Sequence, residues 1–499
     1  MVAFDFGVLS AMMGKASTPN GIFEQVFGLR DRISKWDRDR TLAILAGLQL
    51  CPQYQANAVR LELATRMVIA TANGAVVPNR GDLWKLLNRD LARSRSAMLE
   101  DPVEDFFVTP VCTSAGEFHI LEGPWEKAAL HTEDLLEAFE RLPADPIRDG
   151  ALAHAYAALS VSQILVERAS LRRFELGGGE DKKDIPLPAQ RHIDRVASFG
   201  ILTWEDIQYL PFEAELLDPF VLTDERRREI EHVAPGDSHL EFQPFISTAD
   251  GLVVAMPGNV STCVRALLID CAVQHWMEQS LRKRLLDVQA ARIDEGGITR
   301  LSRLPVLSVK GQPVRQALYE ESAGRYVHLL QVVDPFDDWP NLGFGNVVPD
   351  NAGTTALIVE SVKAFRKLAM QRENFREGMS FLVLGGWGRA RALSIPNDPE
   401  LRDWEFIFVE PRDAATMGIS DDTKMADLWR LKKLETKIEE QGFELFGANG
   451  LLNLFALWKE TEYTLIPERL IDLKPPSLFN FPTDLLFKVR QEAARRDDR

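Results

Sequence analysis

Apolar residues recur three and four positions apart through most of residues 1–235, which is the spacing of one face of an α-helix. Leu61, Ala64 and Met67 form one such stripe, and a second lies within residues 151–159. A pattern of this kind extends over several segments of the first half. We therefore predict that the N-terminal half of the chain is mainly helical.

The helical pattern is interrupted between residues 105 and 125. Two runs rich in β-branched and aromatic residues flank Ser114, Ala115 and Gly116 there. Such runs on either side of a short polar turn are typical of two antiparallel strands. We therefore expect a β-hairpin inserted among the helices.

Two stretches have the composition of a loop or linker. Residues 176–190 combine three glycines, a charge cluster and two prolines, and residues 233–239 read VAPGDSH. The second stretch separates a charged helix from a pair of strand-like runs. We place the main division there, with a mainly helical domain over 1–235, a candidate sub-boundary at 176–190, and an α/β domain over 236–499.

The second half opens with strand signals followed by a helix signal. Two apolar runs around an Asp-Gly turn predict a β-hairpin over residues 240–257. A long helix is expected over 261–293, because Ser261 can cap its first turn and Gly296 and Gly297 supply a stop signal. The last third of this helix is basic.

Strand-like runs then alternate with a strong helical pattern across a core of residues 303–413. Strand, helix and strand follow one another over 326–333, 354–367 and 380–384, which is the order of a βαβ unit with parallel strands. A charged amphipathic helix over 424–441 begins a helical tail. The predicted fold class is an α+β multidomain protein, in which a mainly helical N-terminal half with a β-hairpin insertion precedes a mixed α/β C-terminal domain.

Length and charge narrow the class of protein. A chain of 499 residues is too long for one hydrophobic core, since cores stop growing near about 250 to 300 residues. Its apolar fraction of 45% is that of a globular protein. The formal net charge of −16 repels phosphate backbones, so nucleic acid is expected to bind only through a local basic groove.

Cysteine spacing and hydropathy indicate the compartment. The four cysteines, at positions 51, 112, 263 and 271, form no C-x-x-C pair and therefore suggest neither a disulfide framework nor a zinc ribbon. A helix needs about 18 or more consecutive apolar residues to cross the hydrocarbon core of a bilayer. No window of the sequence approaches that length. We expect a cytoplasmic protein without a membrane partner.

The most suggestive candidate chemistry follows two of the predicted strands. The run ending at Val333 leads into Asp334 and then Asp338, and the run ending at Val409 leads into Glu410. In α/β sheets, ligands bind beyond the carboxyl ends of the strands, and paired carboxylates there are typical magnesium ligands. Acidic residues after strands also serve as turn residues and helix caps, which is the competing interpretation.

A glycine-rich segment follows the strand-like run at 380–384. Three glycines and a tryptophan lead to Arg389, with Arg391 two residues further. Glycines allow a close backbone approach to a ligand, and the two arginines could hold a phosphate. The segment lacks the spacing of either common nucleotide-binding loop, so a plain glycine-rich turn is the alternative.

Several weaker patterns point to nucleic-acid chemistry. Glu410-Pro-Arg412 and Glu360-Ser-Val-Lys363 approximate the E-x-K arrangement of restriction-type nucleases without matching it. Arg227 and His232 have a spacing that some helical ribonucleases use, within a segment that equally suits a charged surface helix. Basic residues that could line a groove also suit the solvated faces of two helices; they are Arg282, Lys283, Arg284, Arg292, Lys363, Arg366 and Lys367.

Cys271 and His275 lie four residues apart on the predicted long helix, where they could form half of a metal site. No second pair accompanies them, which favours a role in the core. The sequence contains no G-x-S-x-G, H-E-x-x-H, Walker A, EF-hand or kinase signature. No cofactor is therefore predicted outright.

These observations lead to two hypotheses about function. The first is a cytosolic scaffold or regulatory subunit of a larger bacterial-type protein assembly, with other protein subunits as partners. The alternative is a divergent Mg²⁺-dependent nuclease or phosphohydrolase with its site in the C-terminal α/β domain. In that alternative, Asp334, Asp338 and Glu410 bind the metal, and Arg389 and Arg391 bind phosphate.

Overall fold

The structure is a computed structural model that describes most of the chain. The described residues are 18–51, 58–93, 108–121, 128–171, 184–232, 240–295, 314–322, 324–333, 352–384, 398–401, 404–409 and 425–440, with Pro411, Ala414, Met417, Leu454 and Phe455. They form two compact units, one reaching to His275 and the other beginning at Trp276. This division lies later in the chain than the boundary that we predicted near residue 235.

The first unit is mainly helical. Its described α-helices are α1 (Pro19–Gln25), α2 (Leu29–Ile33), α3 (Arg38–Gln49), α4 (Ala58–Thr71), α5 (Arg80–Trp84), α6 (Leu91–Arg93), α7 (Ala128–Glu140), α8 (Pro146–Arg168), α9 (Ile193–Ala197), α10 (Trp204–Gln208), α11 (Asp224–Glu229) and α12 (Val260–Gln274). Short 3₁₀ turns lie at Gln190–His192, Ala214–Phe220 and Pro257–Asn259, and a π-helical turn at Lys85–Asp90 joins α5 to α6.

Polar side chains begin several of these helices. Asp37 accepts a hydrogen bond from the backbone N–H of Arg40 at 3.0 Å at the start of α3. Asp145 accepts from the N–H groups of Ile147 and Arg148 at the start of α8, where Pro146 occupies the first helical position. Each cap satisfies donors that a helix leaves unpaired at its N-terminus, so the sequence defines these starts locally.

The predicted hairpin insertion is present. Strands β1 (Val108–Thr113) and β2 (Gly116–Leu121) pair antiparallel and pack on α7 and α8. The Ser114 hydroxyl in the turn donates to the Glu140 carboxylate of α7 at 3.0 Å, and the Tyr156 hydroxyl of α8 donates to the same carboxylate. One acidic side chain therefore ties the hairpin tip to both helices.

The second predicted hairpin also forms, but within the first unit. Strand β5 (Gly251–Val254) lies between β4 (Phe245–Ser247) and β3 (Ile201–Thr203), and both pairings are antiparallel. The sequence did not indicate β3, because its three residues are too few to show a strand pattern. Pairing with β3 explains why the hairpin belongs to the first unit rather than to the C-terminal domain.

The end of the predicted linker belongs to the core of the first unit. Ile185 and Leu187 are buried in the same apolar cluster as α3 and α4. The Asn88 side chain accepts from the backbone N–H of Ile185 at 2.7 Å and donates to its carbonyl at 2.8 Å. This segment therefore packs as part of the domain, while residues 172–183 lie outside the described ones.

The predicted long helix over 261–293 is two helices. The first, α12, ends at Gln274, and α13 runs over Glu278–Glu295. Between them Trp276 has a positive φ of 58° and a side chain that is 89% exposed. No glycine or proline marks this break in the sequence, so local signals did not reveal it. The break lies at the boundary between the two units.

The second unit is built on a four-stranded sheet. Its described elements are α13, β6 (Val314–Ser322), β7 (Arg325–Val332), α14 (Ala352–Met370), β8 (Glu377–Leu384), a 3₁₀ turn at Pro399–Leu401, β9 (Glu405–Val409) and α15 (Met425–Glu440). The strand order is β6-β7-β8-β9; β6 is antiparallel to β7, whereas β7, β8 and β9 are mutually parallel neighbours. The predicted βαβ unit is therefore confirmed as β7-α14-β8.

Both faces of this sheet are covered by apolar side chains. One face carries Leu330, Leu382 and Phe406 and packs against α14 through Val362 and Phe365. The opposite face contacts Ile293 of α13 and an apolar stripe of α15; its sheet residues include Leu329, Phe381, Val383, Ile407 and Val409. Burial on both faces is typical of parallel sheets and explains the nearly continuous apolar runs of β7 and β8.

One strand of the sheet was not predicted, and one predicted strand is not described. Strand β6 was missed, because its residues alternate poorly between apolar and polar side chains. The strand predicted over 303–309 lies outside the described residues. The helix of the tail is confirmed as α15, and the fold class is confirmed as a mainly helical first half followed by a mixed α/β domain.

Among the described helices, none is long and apolar enough to cross a membrane.

A glycine on α3 sets the packing distance to α9. A Cβ atom at Gly47 would lie 1.9 Å from the backbone carbonyl oxygen of Val196. We expect Gly47→Ala to lower the free energy of unfolding of the first unit by about 1 to 3 kcal/mol, as overpacking does. Urea denaturation followed by circular dichroism measures this change.

A second helical glycine provides the matched control. A Cβ atom at Gly150 on α8 meets no other heavy atom within 4 Å. Gly150→Ala should therefore stabilise the protein by about 0.5 to 1 kcal/mol, through helix propensity alone. Equal stability of the Gly47→Ala variant and the wild type would contradict the close packing of α3 on α9.

Candidate functional site

The carboxyl ends of three parallel strands lie at one edge of the sheet in the second unit. Val332 of β7 is in register with Leu384 of β8, and Val383 of β8 is in register with Val409 of β9. The three strands therefore end within about one residue of each other along the strand direction. Ligand sites in α/β sheets lie beyond edges of this kind.

The predicted site residues follow directly in the sequence but lie outside the described residues. Asp334 comes one position after the buried Val333, and Glu410 comes directly after Val409. Asp338, Arg389 and Arg391 are likewise outside the described residues. The structure thus describes the strands that lead to these residues, and it makes those strands adjacent and parallel.

The last row that crosses all four strands is formed by Arg315, Gln331, Val383 and Val409. Residues paired in register point to the same side of a sheet, so these four side chains share a face. Arg315 donates to the backbone carbonyl of Ala290 at 3.1 Å and forms an ion pair with Asp294 at 2.5 Å. It thereby ties the C-terminal turns of α13 to this row.

Gln331 is the polar residue in the middle of that row. Its side chain is fully buried, and neither its Oε1 nor its Nε2 atom has a hydrogen-bond partner among the described residues. Gln289 on α13, the neighbour of Ala290, is also buried and has an unpaired Oε1 in the described part of the chain. Sequence reasoning missed both glutamines, because a glutamine within an apolar run gives no catalytic signature.

A second buried polar group lies on the opposite face of the sheet. The Trp404 indole N–H donates to the Ser380 hydroxyl oxygen at 2.9 Å, and Ser380 lies 3.0 Å from Nδ1 of His328. The serine hydroxyl can donate its proton to Nδ1 or accept a proton from it, so this contact fits either neutral tautomer of the imidazole. The ring stacks on Phe365 of α14, with centroids 4.0 Å apart.

Burial keeps this histidine neutral. The side chain of His328 is fully buried, and desolvation lowers its pKa from 6.5 to about 3. No charged group contacts the ring among the described residues. His328 therefore acts as a packed, neutral core residue near neutral pH rather than as an acid or base.

The first unit contains a buried ionic cluster that the sequence did not predict. Arg66 of α4 lies 2.9 Å from Glu62 on the same helix and 3.4 Å from Glu241. All three side chains are at most 6% exposed. The cluster connects α4 to the segment before β4, and its complete burial favours a structural role over contact with a substrate.

Two of the weaker sequence candidates form ion pairs with nearby carboxylates among the described residues. Lys363 is paired with Asp398 at 2.9 Å and with Glu400 at 3.4 Å, and the hydrogen bond to Asp398 raises the pKa of Lys363. Arg227 is partly exposed and pairs with Asp224 at 3.4 Å. Helix α11 ends at Glu229, so His232 does not share a helix with Arg227.

The cysteines are all free thiols. Cys271 is half-buried on α12, and burial raises its pKa, whereas His275 caps the end of that helix and is exposed. Within the described ranges, no group of three or more His, Cys, Asp or Glu side chains is arranged to hold a metal ion.

His328 makes the stability of the second unit depend on pH. Between pH 6.5 and about 3, the imidazole binds a proton in the unfolded chain but not in the folded chain. The free energy of unfolding therefore decreases as the pH falls through this range. We expect this residue to contribute a slope of up to about 1.4 kcal/mol per pH unit. His328→Gln, which does not titrate, should unfold with a shallower pH dependence in urea titrations at pH 4 to 7. Identical slopes would contradict the low pKa.

Comparison with known proteins identifies a family for the chain. A family model described as "Anti-phage protein Upx-like" matches residues 20–499. No curated protein and no solved structure shows a detectable match to the chain. The family match includes both units and every strand of the sheet. The chain therefore belongs to the Upx-like family of anti-phage proteins, whose function is defence against phage.

Proposed function

We propose that this protein defends against phage as a divalent-metal-dependent nuclease or phosphohydrolase, with its site at the carboxyl edge of the sheet in the second unit. The observation that carries the proposal is the parallel, adjacent arrangement of β7, β8 and β9. The segments that leave these strands carry Asp334, the Arg389 and Arg391 pair, and Glu410. Carboxylates and arginines at one sheet edge suit a metal-assisted attack on a phosphoester.

Each residue has a distinct proposed role. Asp334 and Glu410 bind Mg²⁺, with Asp338 as a further carboxylate ligand, and Arg389 and Arg391 bind phosphate oxygens. A metal held by these carboxylates would lower the pKa of a bound water and so supply the nucleophile for hydrolysis of a phosphoester. Phage nucleic acid is the phosphoester that best fits a defence function.

The charge of the protein restricts how such a substrate is bound. A net charge of −16 opposes general binding to a phosphate backbone. Substrate contact is therefore confined to a local basic region, for which Arg389 and Arg391 are the proposed residues. Binding of this type depends on few phosphate contacts, so we expect a shallow dependence of substrate affinity on salt.

A scaffold or regulatory role is the second candidate. Three aromatic side chains, Phe27, Tyr209 and Trp276, are at least 82% exposed. Exposed aromatic residues commonly anchor protein interfaces. In that case the protein would act in defence through partner subunits, and protection would not depend on the acidic residues at the sheet edge.

Metal binding distinguishes the two functions. We expect isothermal titration of Mg²⁺ and Mn²⁺ to show stoichiometric binding to the full chain. Loss of a group that only orients a metal ligand weakens metal binding by about 10- to 100-fold. Asp334→Ala and Glu410→Ala each remove a direct ligand, so each should weaken binding by more than about 100-fold. The matched control is Glu405→Ala, an exposed carboxylate at the other end of the same strand β9, which should bind like the wild type. No binding by the wild type would refute the metal site.

Protection of cells tests the proposal at the level of defence. Phage should form fewer plaques on cells that express the wild type or the Glu405→Ala variant than on cells without the protein. The double variant Asp334→Ala, Glu410→Ala should lose this protection, because the metal needed for hydrolysis is no longer bound. Full protection by the double variant at equal expression would instead favour the scaffold role.

A further inference from the structure

We infer that residues 366–376, at the end of α14 and in the turn before β8, bind the phosphate backbone of duplex DNA. The choice of ligand rests on the proposed function. This segment, the basic turn, contains four cations and one carboxylate, Glu373, which is a local charge of +3 in a chain of net charge −16. The cations are Arg366, Lys367, Arg372 and Arg376.

The cations of the basic turn are not neutralised by carboxylates in the described part of the chain. None of the four forms an ion pair there, and three of them are exposed to solvent. By contrast, Lys363 on the same helix is paired with Asp398 at 2.9 Å. Arg227 and Arg284, elsewhere on the surface, each pair with an aspartate. The charge of the basic turn is therefore available to an external anion.

Stabilisation of α14 accounts for only part of this charge. Lys367 lies in the last turn of the helix, where a cation interacts favourably with the helix dipole. That interaction falls off beyond the last turn. Arg372 and Arg376 follow the end of α14 at Met370, so helix stability does not explain their presence.

The backbone keeps the later cations beside the end of the helix. The N–H of Arg372 donates to the carbonyl of Ala369 at 3.0 Å, and the N–H of Phe375 donates to the carbonyl of Arg372 at 3.0 Å. Each bond closes a turn whose first and fourth Cα atoms lie within about 7 Å of each other. The chain thus turns twice and places Arg372 and Arg376 near the last residues of α14.

A polar network fixes the basic turn to the neighbouring strands. The Tyr326 hydroxyl donates to Oδ1 of Asn374 at 2.6 Å, and Nδ2 of Asn374 donates to the Glu320 carboxylate at 2.8 Å. The backbone N–H of Arg376 donates to the carbonyl of Gly324, which has a positive φ of 86°. The cations are therefore positioned before a ligand binds, which lowers the entropy lost on binding.

Several exposed cations held close together favour a polyanion over a small anion. Duplex DNA carries one negative charge per about 1.7 Å of its axis, and cations that bind it release condensed counterions. Single strands release fewer counterions per contact, so a duplex gains more from the same cations. The turn precedes β8, whereas the proposed hydrolytic residues follow the carboxyl ends of the strands. It would thus hold the backbone away from the phosphate that reacts.

The test measures binding of the full chain to a short fluorescently labelled DNA duplex by anisotropy in EDTA, where neither metal binding nor cleavage contributes. A hydrogen bond from a charged group is worth about tenfold or more in an equilibrium constant. The double variant Arg372→Ala, Arg376→Ala should therefore bind at least about 10-fold more weakly. Its plot of log affinity against log salt should be shallower by about 2, because each lost phosphate contact removes about 0.9.

Two further variants separate a phosphate contact from a general effect of charge or shape. Arg227→Ala, Arg284→Ala removes the same charge from arginines that already have acidic partners, so it should bind like the wild type. Arg372→Lys, Arg376→Lys keeps both charges and should keep the salt dependence of the wild type, since Lys also binds phosphate as a point charge.

The outcomes distinguish the inference from the function on which it rests. The inference is wrong if the wild type does not bind the duplex in EDTA, or if the Arg372→Ala, Arg376→Ala variant binds with unchanged affinity and salt dependence. It is also wrong if the Arg227→Ala, Arg284→Ala control loses as much affinity. Titration with Mg²⁺ decides the metal site independently: duplex binding through the basic turn without Mg²⁺ or Mn²⁺ binding would support the inference and refute the hydrolytic function.

Discussion

The parallel pairing of β7 with β8 is the constraint on which the second unit depends. Two consecutive parallel strands require a connection that returns along the sheet, and α14 supplies it. The helix covers one face, while α13 and α15 cover the other. The addition of β9 in the same direction brings three carboxyl ends to one edge. The burial of the sheet and the common edge of these three strand ends thus follow from one arrangement of strands.

Because the sheet is buried on both faces, a polar residue in a central strand lowers the stability of the folded state unless it finds a hydrogen-bond partner. His328 and Gln331 both lie in β7, where nearly every side chain is buried. His328 has a partner in Ser380 and remains neutral, so it fits the core with a modest loss of stability. Gln331 has no such partner among the described residues.

The first unit buries charged side chains on its helix α4. The described part of α4 from Arg60 to Ile69 is buried on all sides, although it carries several charged residues. Glu62 and Glu241 neutralise Arg66 within hydrogen-bond range, which offsets the cost of removing these charges from water. Glu62 and Arg66 of α4 therefore pair with each other, and Arg66 with Glu241, inside the unit, and they do not face solvent.

Local patterns in the sequence determined much of the fold. Turn residues between apolar runs predicted both hairpins, and the alternation of strand and helix predicted β7-α14-β8, because these signals arise from neighbours in the chain. Tertiary structure alone decided the break at Trp276, the pairing of β5 with β3 and the burial of Arg66 and Gln331. Each depends on residues distant in sequence, whose contacts leave no local periodicity. The acidic residues after β7 and β9 were visible in the sequence, but only the order of the strands showed that the strands before them end at one edge of the sheet.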